Sequence, residues 1–457
     1  MTHAHIDHSG LLPRLVSKGY GGPVWCTAQT ADLLRVMLPD AGRIQEAEAA
    51  RRNRRPDRAD DVAIEPLYTE SDAIQAAALA RPVELGVEFS PAEGITARLW
   101  NAGHILGAAS IELEADGCRV LFSGDIGPEE KSFHPNPAAS RGYDHVICEG
   151  TYGNCRRPDQ TPEQWRAQLL EEATGALARG GNLVIPTFAL ERTQELLLDF
   201  ALLLDAGRLR GTHIFIDSPL ASRITRVFAE HVHELEDVPA SLFERPQFHF
   251  VETPGQSMRL NSVSGAIILS ASGMCEAGRV RHHLRHNLPR RESTILFVGY
   301  QAAGTLGRTI VDGARRVRIS GHDIAVRARV SAIEGYSAHA DQRDLLRWID
   351  ARRPIHGTLF LNHGEPEALA ALADEIHSIH RDCSIRIAEP GERYALSPGK
   401  AAMRVSTGDH ALVATAGRDW QNDYATFVTG LKADLMTLKD DAARRKAIER
   451  MHRALHQ

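Results

Sequence analysis

Four side chains able to bind a metal fall within six residues at the start of the chain, in His3-Ala4-His5-Ile6-Asp7-His8. Alternate side chains of an extended strand point the same way, so His3, His5 and Asp7 are expected to converge. His8 follows where the chain turns toward a helix over 11–18. Imidazole nitrogen with carboxylate oxygen suits zinc, with iron or manganese as alternatives. A cloning tag would be a homopolymer, and a basic surface strand has no need of an Asp among three His at this spacing. Three later turns, each at the end of an apolar run, offer one more ligand apiece. They are His104 in Asn101-Ala-Gly-His-Ile-Leu-Gly107, Asp125 in Phe122-Ser-Gly-Asp-Ile-Gly127, and His363 in Leu359-Phe-Leu-Asn-His-Gly-Glu365. Together the seven form the inventory of a two-metal site. Two metals ~3.5–4 Å apart clamp the attacking and leaving oxygens of a phosphodiester and supply hydroxide at neutral pH.

Two further groups would complete a hydrolase. Glu149 ends the run Val146-Ile-Cys-Glu149 before Gly-Thr-Tyr-Gly, and His339 sits in the small-residue turn Ser337-Ala-His-Ala-Asp341. A carboxylate on an imidazole keeps it protonated, ready to give a proton to a leaving oxygen. A structural salt bridge for Glu149 and a helix cap for His339 are the plain alternatives, and sequence alone does not pair the two.

The chain of 457 residues is long enough for two or three domains, and its net charge of −6 excludes a globally basic nucleic-acid binder. Its six cysteines are scattered without a C-x-x-C pair, the pattern of reduced thiols in a cytoplasm. No run approaches the ~20 apolar residues of a membrane helix, so no membrane partner is expected. Up to 160 the elements are mixed. A helix over 30–37 is followed by strands over 83–89, 95–101, 110–115 and 118–123, with Asp116-Gly117 as the hairpin turn between the last two. From 161 helix and strand alternate, which predicts a parallel sheet with helices on both faces. Thr161-Pro-Glu-Gln164 marks a helix start. Ligands of such sheets sit beyond the carboxyl ends of the strands, where Thr187, Ser218 and Ser272-Gly273 are expected at helix N-termini that favour phosphate; each alone reads as an ordinary N-cap. Arg279–Arg291 and Arg315-Arg-Val-Arg318 are candidate RNA-backbone contacts, although exposed loops explain them equally; Arg51-Arg-Asn-Arg-Arg55 reads as a solvated helix end or loop ahead of a nucleic-acid contact. Trp420, Tyr424, Phe427, Leu431 and Leu435 recur at helical spacing and, with a helix over 440–455, predict a packing tail.

The set resembles the metallo-β-lactamase fold. Glu149-Gly-Thr-Tyr-Gly153, the Ser337–Asp341 turn and the Asn362-His-Gly-Glu365 turn are similar to motifs A, B and C of its β-CASP branch, which cuts nucleic acids. Ile185-Pro-Thr-Phe-Ala189, Asp217-Ser-Pro-Leu-Ala221, Ala271-Ser-Gly-Met274 and Gly299-Tyr-Gln301 with Gly304-Thr-Leu-Gly307 resemble the bacterial and archaeal RNA-processing members, relatives of the endonuclease of pre-mRNA 3′-end cleavage. The likeness spans about residues 1–395. It implies an α/β fold, an αββα sandwich carrying an inserted parallel α/β β-CASP domain. The segments would be 1–153 and 336–400 for the sandwich, 154–335 for the insert, and 401–457 for a helical tail. Family members carry several dozen residues before the first motif, and here only Met1 and Thr2 precede it. The expectation is therefore a sandwich whose first strands are missing, through a misassigned start or a real shortening.

By the same resemblance His3, His5 and His104 hold one zinc, and Asp7, His8 and His363 the other, with Asp125 bridging. His339 is the general acid, oriented by Glu149, and Asp7 counts with these catalytic residues as well as with the ligands. RNA threads between the two domains, near Thr187, Ser218, Ser272, Gly273 and Ser337. Motif A departs from the family's Glu-Ser-Thr-Tyr-Gly-Asp-Arg, reading Glu149-Gly-Thr-Tyr-Gly-Asn-Cys155. The implied activity is a cytoplasmic two-zinc ribonuclease, endonucleolytic, cleaving RNA by attack of metal-bound hydroxide, with a homodimer as a candidate assembly. A hydrolase of small esters or thioesters, and an RNA-binding protein with a site crippled at its N-terminus, are the rival readings.

Overall fold

Asp116 and Gly117 both take left-handed backbone, φ 51° and 70°, as a two-residue hairpin turn of the primed kind requires. The computed structural model describes residues 1–54, 63–129, 131–158, 160–236, 238–239, 241–302, 304–407, 431, 435 and 437–454. The turn joins Ala109–Ala115 to Cys118–Phe122, with Ala115 opposite Cys118. These strands lie inside a mixed seven-stranded sheet. On one side Ile95–Asn101 and Glu88–Ala92 continue it antiparallel; on the other, Tyr143–Glu149, Ile355–Asn362 and Ser384–Ile387 continue it parallel. The register sets Glu149 opposite Asn362, the residue before His363.

Apolar side chains on one face of this sheet, among them Leu121, Val146, Leu359 and Leu361, form one core with two helices. Leu345, Trp348 and Ile349 come from Gln342–Arg352, and Leu369, Leu372 and Ile376 from Pro366–Ile379. A second core joins Ala102, Ile105 and Leu106 to Leu33, Leu34 and Leu38 of the helix Ala28–Asn53. That helix begins where Thr27 caps it and runs past the expected end at 37, through Pro39. The strand expected over 83–89 divides instead. Ala80–Pro82 pairs parallel with Val24–Cys26, and Glu88–Ala92 joins the large sheet.

The alternating half folds as read, into a six-stranded sheet with every neighbour pair parallel. Its spatial order is Phe248–Phe250, Ile214–Ile216, Ile267–Ser270, Leu183–Pro186, Thr294–Phe297 and Arg329–Ala332. The Leu183, Ile267 and Thr294 strands are buried throughout, so they read as apolar runs rather than alternations. Thr161 and Gln164 form the capping box of the helix Pro162–Ala178. Helix Ala28–Asn53 packs on Pro219–Glu230 of this half, with Arg223 on Asp40 at 2.7 Å and His231 on Asp32 at 2.9 Å.

The tail expected to be helical from 401 begins differently. Lys400–Ser406 is a strand paired antiparallel with Arg393–Ser397, and the two are joined at a turn in which Gly399 takes left-handed backbone, φ 64°. Trp420, Tyr424 and Phe427 lie outside the described residues, whereas a helix is present over Asp441–Ala454. Among the described residues, no helix is long and apolar enough to cross a membrane.

Candidate metal centre and its proton donor

The first motif is not a strand. Residues 1–5 carry no regular structure, and Ile6–Ser9 is a helical turn. His8 and Ser9 donate their N–H groups to the His5 carbonyl at 3.1 and 2.9 Å, and the Ser9 hydroxyl donates to the Ala4 and His5 carbonyls. This turn corrects the convergence expected for His3, His5 and Asp7. It leaves His3 and His5 on one side and swings Asp7 and His8 to the other. Potential ligand atoms of His3, His5, His104 and Asp125 lie within 4.8 Å of one another, and so do those of Asp7, His8 and His363.

Asp125 stands between the trios and divides its two oxygens. Its Oδ2 lies 3.5 Å from both His3 Nε2 and His104 Nε2. Its Oδ1 lies 3.2 Å from His8 Nε2 and 3.5 Å from His363 Nδ1. His104 and His5 approach at 3.1 Å, as do His8 and His363 at 3.2 Å. The first group is buried except for the half-buried His5; the second opens to solvent, with Asp7 65% and His363 34% exposed. The Ala338 carbonyl, 2.9 Å from His104 Nδ1, fixes that ring with Nε2 inward.

Burial drives the electrostatics of the first group. It pushes His3 and His104 well below the ordinary imidazole value and His5 down to about 4, so all three are neutral at pH 7. The second group behaves oppositely. A hydrogen bond with Asp7 lifts His363 to about 9 against burial, and the same bond holds Asp7 down to about 2. Burial would raise the Asp125 carboxyl, but His8 and the surrounding imidazoles hold it below its usual range.

This donor set fits a pair of zinc ions: five imidazoles and two carboxylates within ligand reach, none of them thiol. His3 Nε2 and Asp125 Oδ1 are buried without any hydrogen-bond partner, a costly state for polar atoms unless a cation meets them.

Glu149 and His339, separated by 190 residues in sequence, face each other at 3.2 Å. Glu149 ends its strand 1% exposed and accepts N–H bonds from Ile126 at 2.6 Å and Thr151 at 3.3 Å. His339 Nε2 points back toward Asp125 Oδ2, 4.0 Å away. Burial pulls the His339 pKa down, but Glu149 and then Asp125 outweigh it, so the net shift is upward.

The residues expected on an anion-binding edge fare differently. Thr187 is buried and its hydroxyl bonds the Phe188 carbonyl; the helix after it starts only at Arg192. Ser218 is an N-cap, accepting from Ala221 N–H at 3.2 Å. Ser272 caps nothing, because the next helix starts at Val280. Gly273 lets the Phe188 ring pass where a Cβ would stand 2.9 Å from it. The Ser337 hydroxyl accepts from Arg157 at 2.8 Å. In the basic stretch after 279, Arg279 is engaged by Asp217 and the carbonyls of Val251 and Glu252, whereas Arg316 and Arg318 stand exposed on a hairpin. Thr151 and Arg157 escaped the sequence reading. The Thr151 hydroxyl lies 3.1 Å from His363 Nδ1, and Arg157 also holds the His339 carbonyl at 2.5 Å. Their proximity to motif A was the available signal.

Residues 1–174 match the family model described as the metallo-beta-lactamase superfamily. Residues 193–310 match the Beta-Casp domain, and 323–386 the Zn-dependent metallo-hydrolase RNA specificity domain. The chain is 35% identical over 380 residues to a ribonuclease of Thermus thermophilus, covering 81% of this chain and 82% of that one. It is 31% identical over 368 residues to an RNase J-like protein of Methanocaldococcus jannaschii, covering 80% of each. A transcription termination factor, FttA, of Cenarchaeum symbiosum is 29% identical over 400 residues; the match covers 83% of this chain but 59% of that protein's length.

Proposed function

The chain belongs to the β-CASP ribonuclease family of the metallo-β-lactamase superfamily, and from that premise we propose that it is a two-zinc ribonuclease cutting internal phosphodiester bonds of single-stranded RNA, in cytoplasmic RNA processing or decay. The observation that carries this reading is His339, held by the buried Glu149 and set 4.0 Å from a carboxylate that stands between two groups of candidate metal-binding side chains.

His3, His5 and His104 would hold one zinc and Asp7, His8 and His363 the other, with Asp125 serving both. Bound zinc supplies Lewis acidity and a nucleophile at neutral pH. The protein's own part is proton delivery and placement. Glu149 is fixed by two backbone N–H groups, holds His339 Nδ1 and keeps the imidazole protonated, so that Nε2 donates to the departing ribose oxygen. Arg157 and Ser337 brace the turn that carries His339. The exposed side of the Asp7 trio is the face from which a strand would enter, passing Ser272, Gly273 and Ser337. Thr187 and Ser218 have their hydroxyls engaged within the fold and act only through the loops they shape.

A circular single-stranded RNA, which has no ends, tests the reading together with zinc analysis. Linearisation by protein holding two zincs per chain is the expected result. A fully zinc-loaded protein that leaves the circle intact but turns over small thioesters would replace this reading with the small-ester hydrolase.

A further inference from the structure

Glu191 occupies a backbone conformation that a glutamate should avoid. Its φ and ψ are 71° and −63°, and Arg192 N–H bonds the Leu190 carbonyl across it at 3.0 Å, which defines a γ-turn of the rare, strained form. Glycine is the residue suited to such backbone. A glutamate retained there needs a reason in its side chain, and the carboxylate is 2% exposed with all its bonds directed at another part of the chain. Its Oε1 accepts from Lys131 Nζ at 2.7 Å and His134 Nε2 at 2.6 Å, and its Oε2 accepts from Leu106 N–H at 3.2 Å. Lys131, its side chain 4% exposed, donates in turn to the carbonyl of His104 at 2.5 Å. Phe133, between Lys131 and His134, is also in left-handed backbone, at φ 51°. Among the described residues six non-glycines have positive φ, and three of them are Phe133, Glu191 and His363. Strain of this kind persists where surrounding bonds over-determine it, which is why it gathers at working sites.

We propose that Glu191 is a positioning residue for the metal centre. Reaching from the parallel-sheet half, it clamps the 104–106 turn through Lys131 and Leu106 N–H, and so sets where the His104 ring meets Asp125. The seating of one half on the other and the affinity of the buried ligand group become one property. The inference rests on the metal reading of the site, but the tether itself is testable without metal.

The full-length chain is compared with Glu191→Gly, which relieves the turn, and with Lys131→Met/Glu191→Gly, which also removes the buried cation that would otherwise keep only Glu195, 3.4 Å away, as its carboxylate. Glu172→Gln, at a remote ion pair with Arg329 in the parallel-sheet half, is the control. Zinc is titrated against a chromophoric chelator, and amide exchange at Leu106 is followed in metal-free protein. Both Glu191 variants are expected to bind the tighter of two zincs about 10–100-fold more weakly, the range for lost partners behind a ligand, and to exchange Leu106 faster. The control should match wild type. A double variant with wild-type zinc affinity and Leu106 exchange would overturn the proposal. Wild type that binds no zinc, while its Leu106 amide is protected only when Glu191 is present, would overturn the metal reading and leave the tether standing.

Discussion

Five imidazoles lie within 4.0 Å of one carboxylate: His3, His104 and His339 face Asp125 Oδ2, and His8 and His363 face Oδ1. Loss of this residue should therefore differ in kind from loss of any single histidine. Asp125→Asn is expected to hold less than one zinc per chain after dialysis, because both groups lose an anionic ligand. His363→Ala should keep one, since the buried group of His3, His5, His104 and Asp125 is left whole. Elemental analysis of the two variants decides this; equal losses would mean that the trios do not bind separately. Glu149 makes a separate test of proton delivery. It lies within reach of His339 and two N–H groups and in neither trio, so Glu149→Gln should retain both zincs. Its turnover should nevertheless fall on the order of 10²–10⁴-fold, the usual contribution of a positioned acid. Single-turnover rates at saturating RNA measure it, and an unchanged rate would remove His339 and Glu149 from the mechanism.

Turns, more than strands or helices, carry the chemistry, and they are held to one another by close backbone contact. Gly127 N–H donates to the Ala102 carbonyl at 2.8 Å, and a Cβ on Gly127 would stand 1.8 Å from the Gly103 carbonyl oxygen. Backbone cannot yield as a side chain can, so Gly127→Ala must drive the Asp125 turn off the His104 turn. A stability loss of at least ~1–3 kcal/mol is expected from such overpacking, with zinc lost alongside; a variant with wild-type urea midpoint and metal content would show the contact to be slack. The seam between helices Ala28–Asn53 and Pro219–Glu230 gives a pH-dependent counterpart. His231 Nε2 meets Asp32 and Nδ1 meets Glu234, each at 2.9 Å, so both nitrogens need protons. Burial opposes the charge, but the two carboxylates prevail and raise the pKa. That stabilisation is present in full below the ordinary histidine value of ~6.5 and is lost as pH climbs through the raised folded value. Urea midpoints across pH 5.5–9 should fall more steeply for wild type than for His231→Gln; parallel curves would contradict this. What was legible in the sequence follows from the same locality. Most of the candidate site residues sit in or beside a turn written by a few adjacent residues, so His104, Asp125, His339 and His363, and Glu149 at the end of its strand, could be read one at a time, and buried runs with a capping box announced the parallel sheet. Asp7 could not be placed, because the Ser9 hydroxyl and two N–H groups close a helical turn where strand alternation was expected. The Lys131–Glu191 pairing, across 60 residues, exists only once the two halves meet, and the Glu149–His339 pairing, across 190, only once the returning segment packs beside the first part of the sandwich.

At the scale of the whole molecule, a net charge of −6 sets the protein against its own proposed substrate. The far field repels a polyanion, so attraction must come from a few local cations such as Arg316 and Arg318 and from the metal centre itself. The halves also meet close to His339. The Tyr152 ring lies 6.4 Å from Tyr300 of the parallel-sheet half and 6.0 Å from His339. The Tyr152 and Tyr300 rings meet edge to face, so the prediction is that a single strand, with bases turned onto aromatic faces, is accepted beside them and a stacked duplex is not. Two results are expected together. Annealing the RNA to its complement should abolish cleavage at a site that is cut in the single strand. The logarithm of kcat/KM should fall with the logarithm of salt less steeply than for binders making ~6–10 phosphate contacts, each worth a slope of ~0.7 on single strands. Cleavage of the duplex at a comparable rate would mean that the halves part by more than a strand's width. A steep salt slope would mean that a basic path has gone unrecognised, and substitution of Arg316 and Arg318 would show whether the path begins on their hairpin.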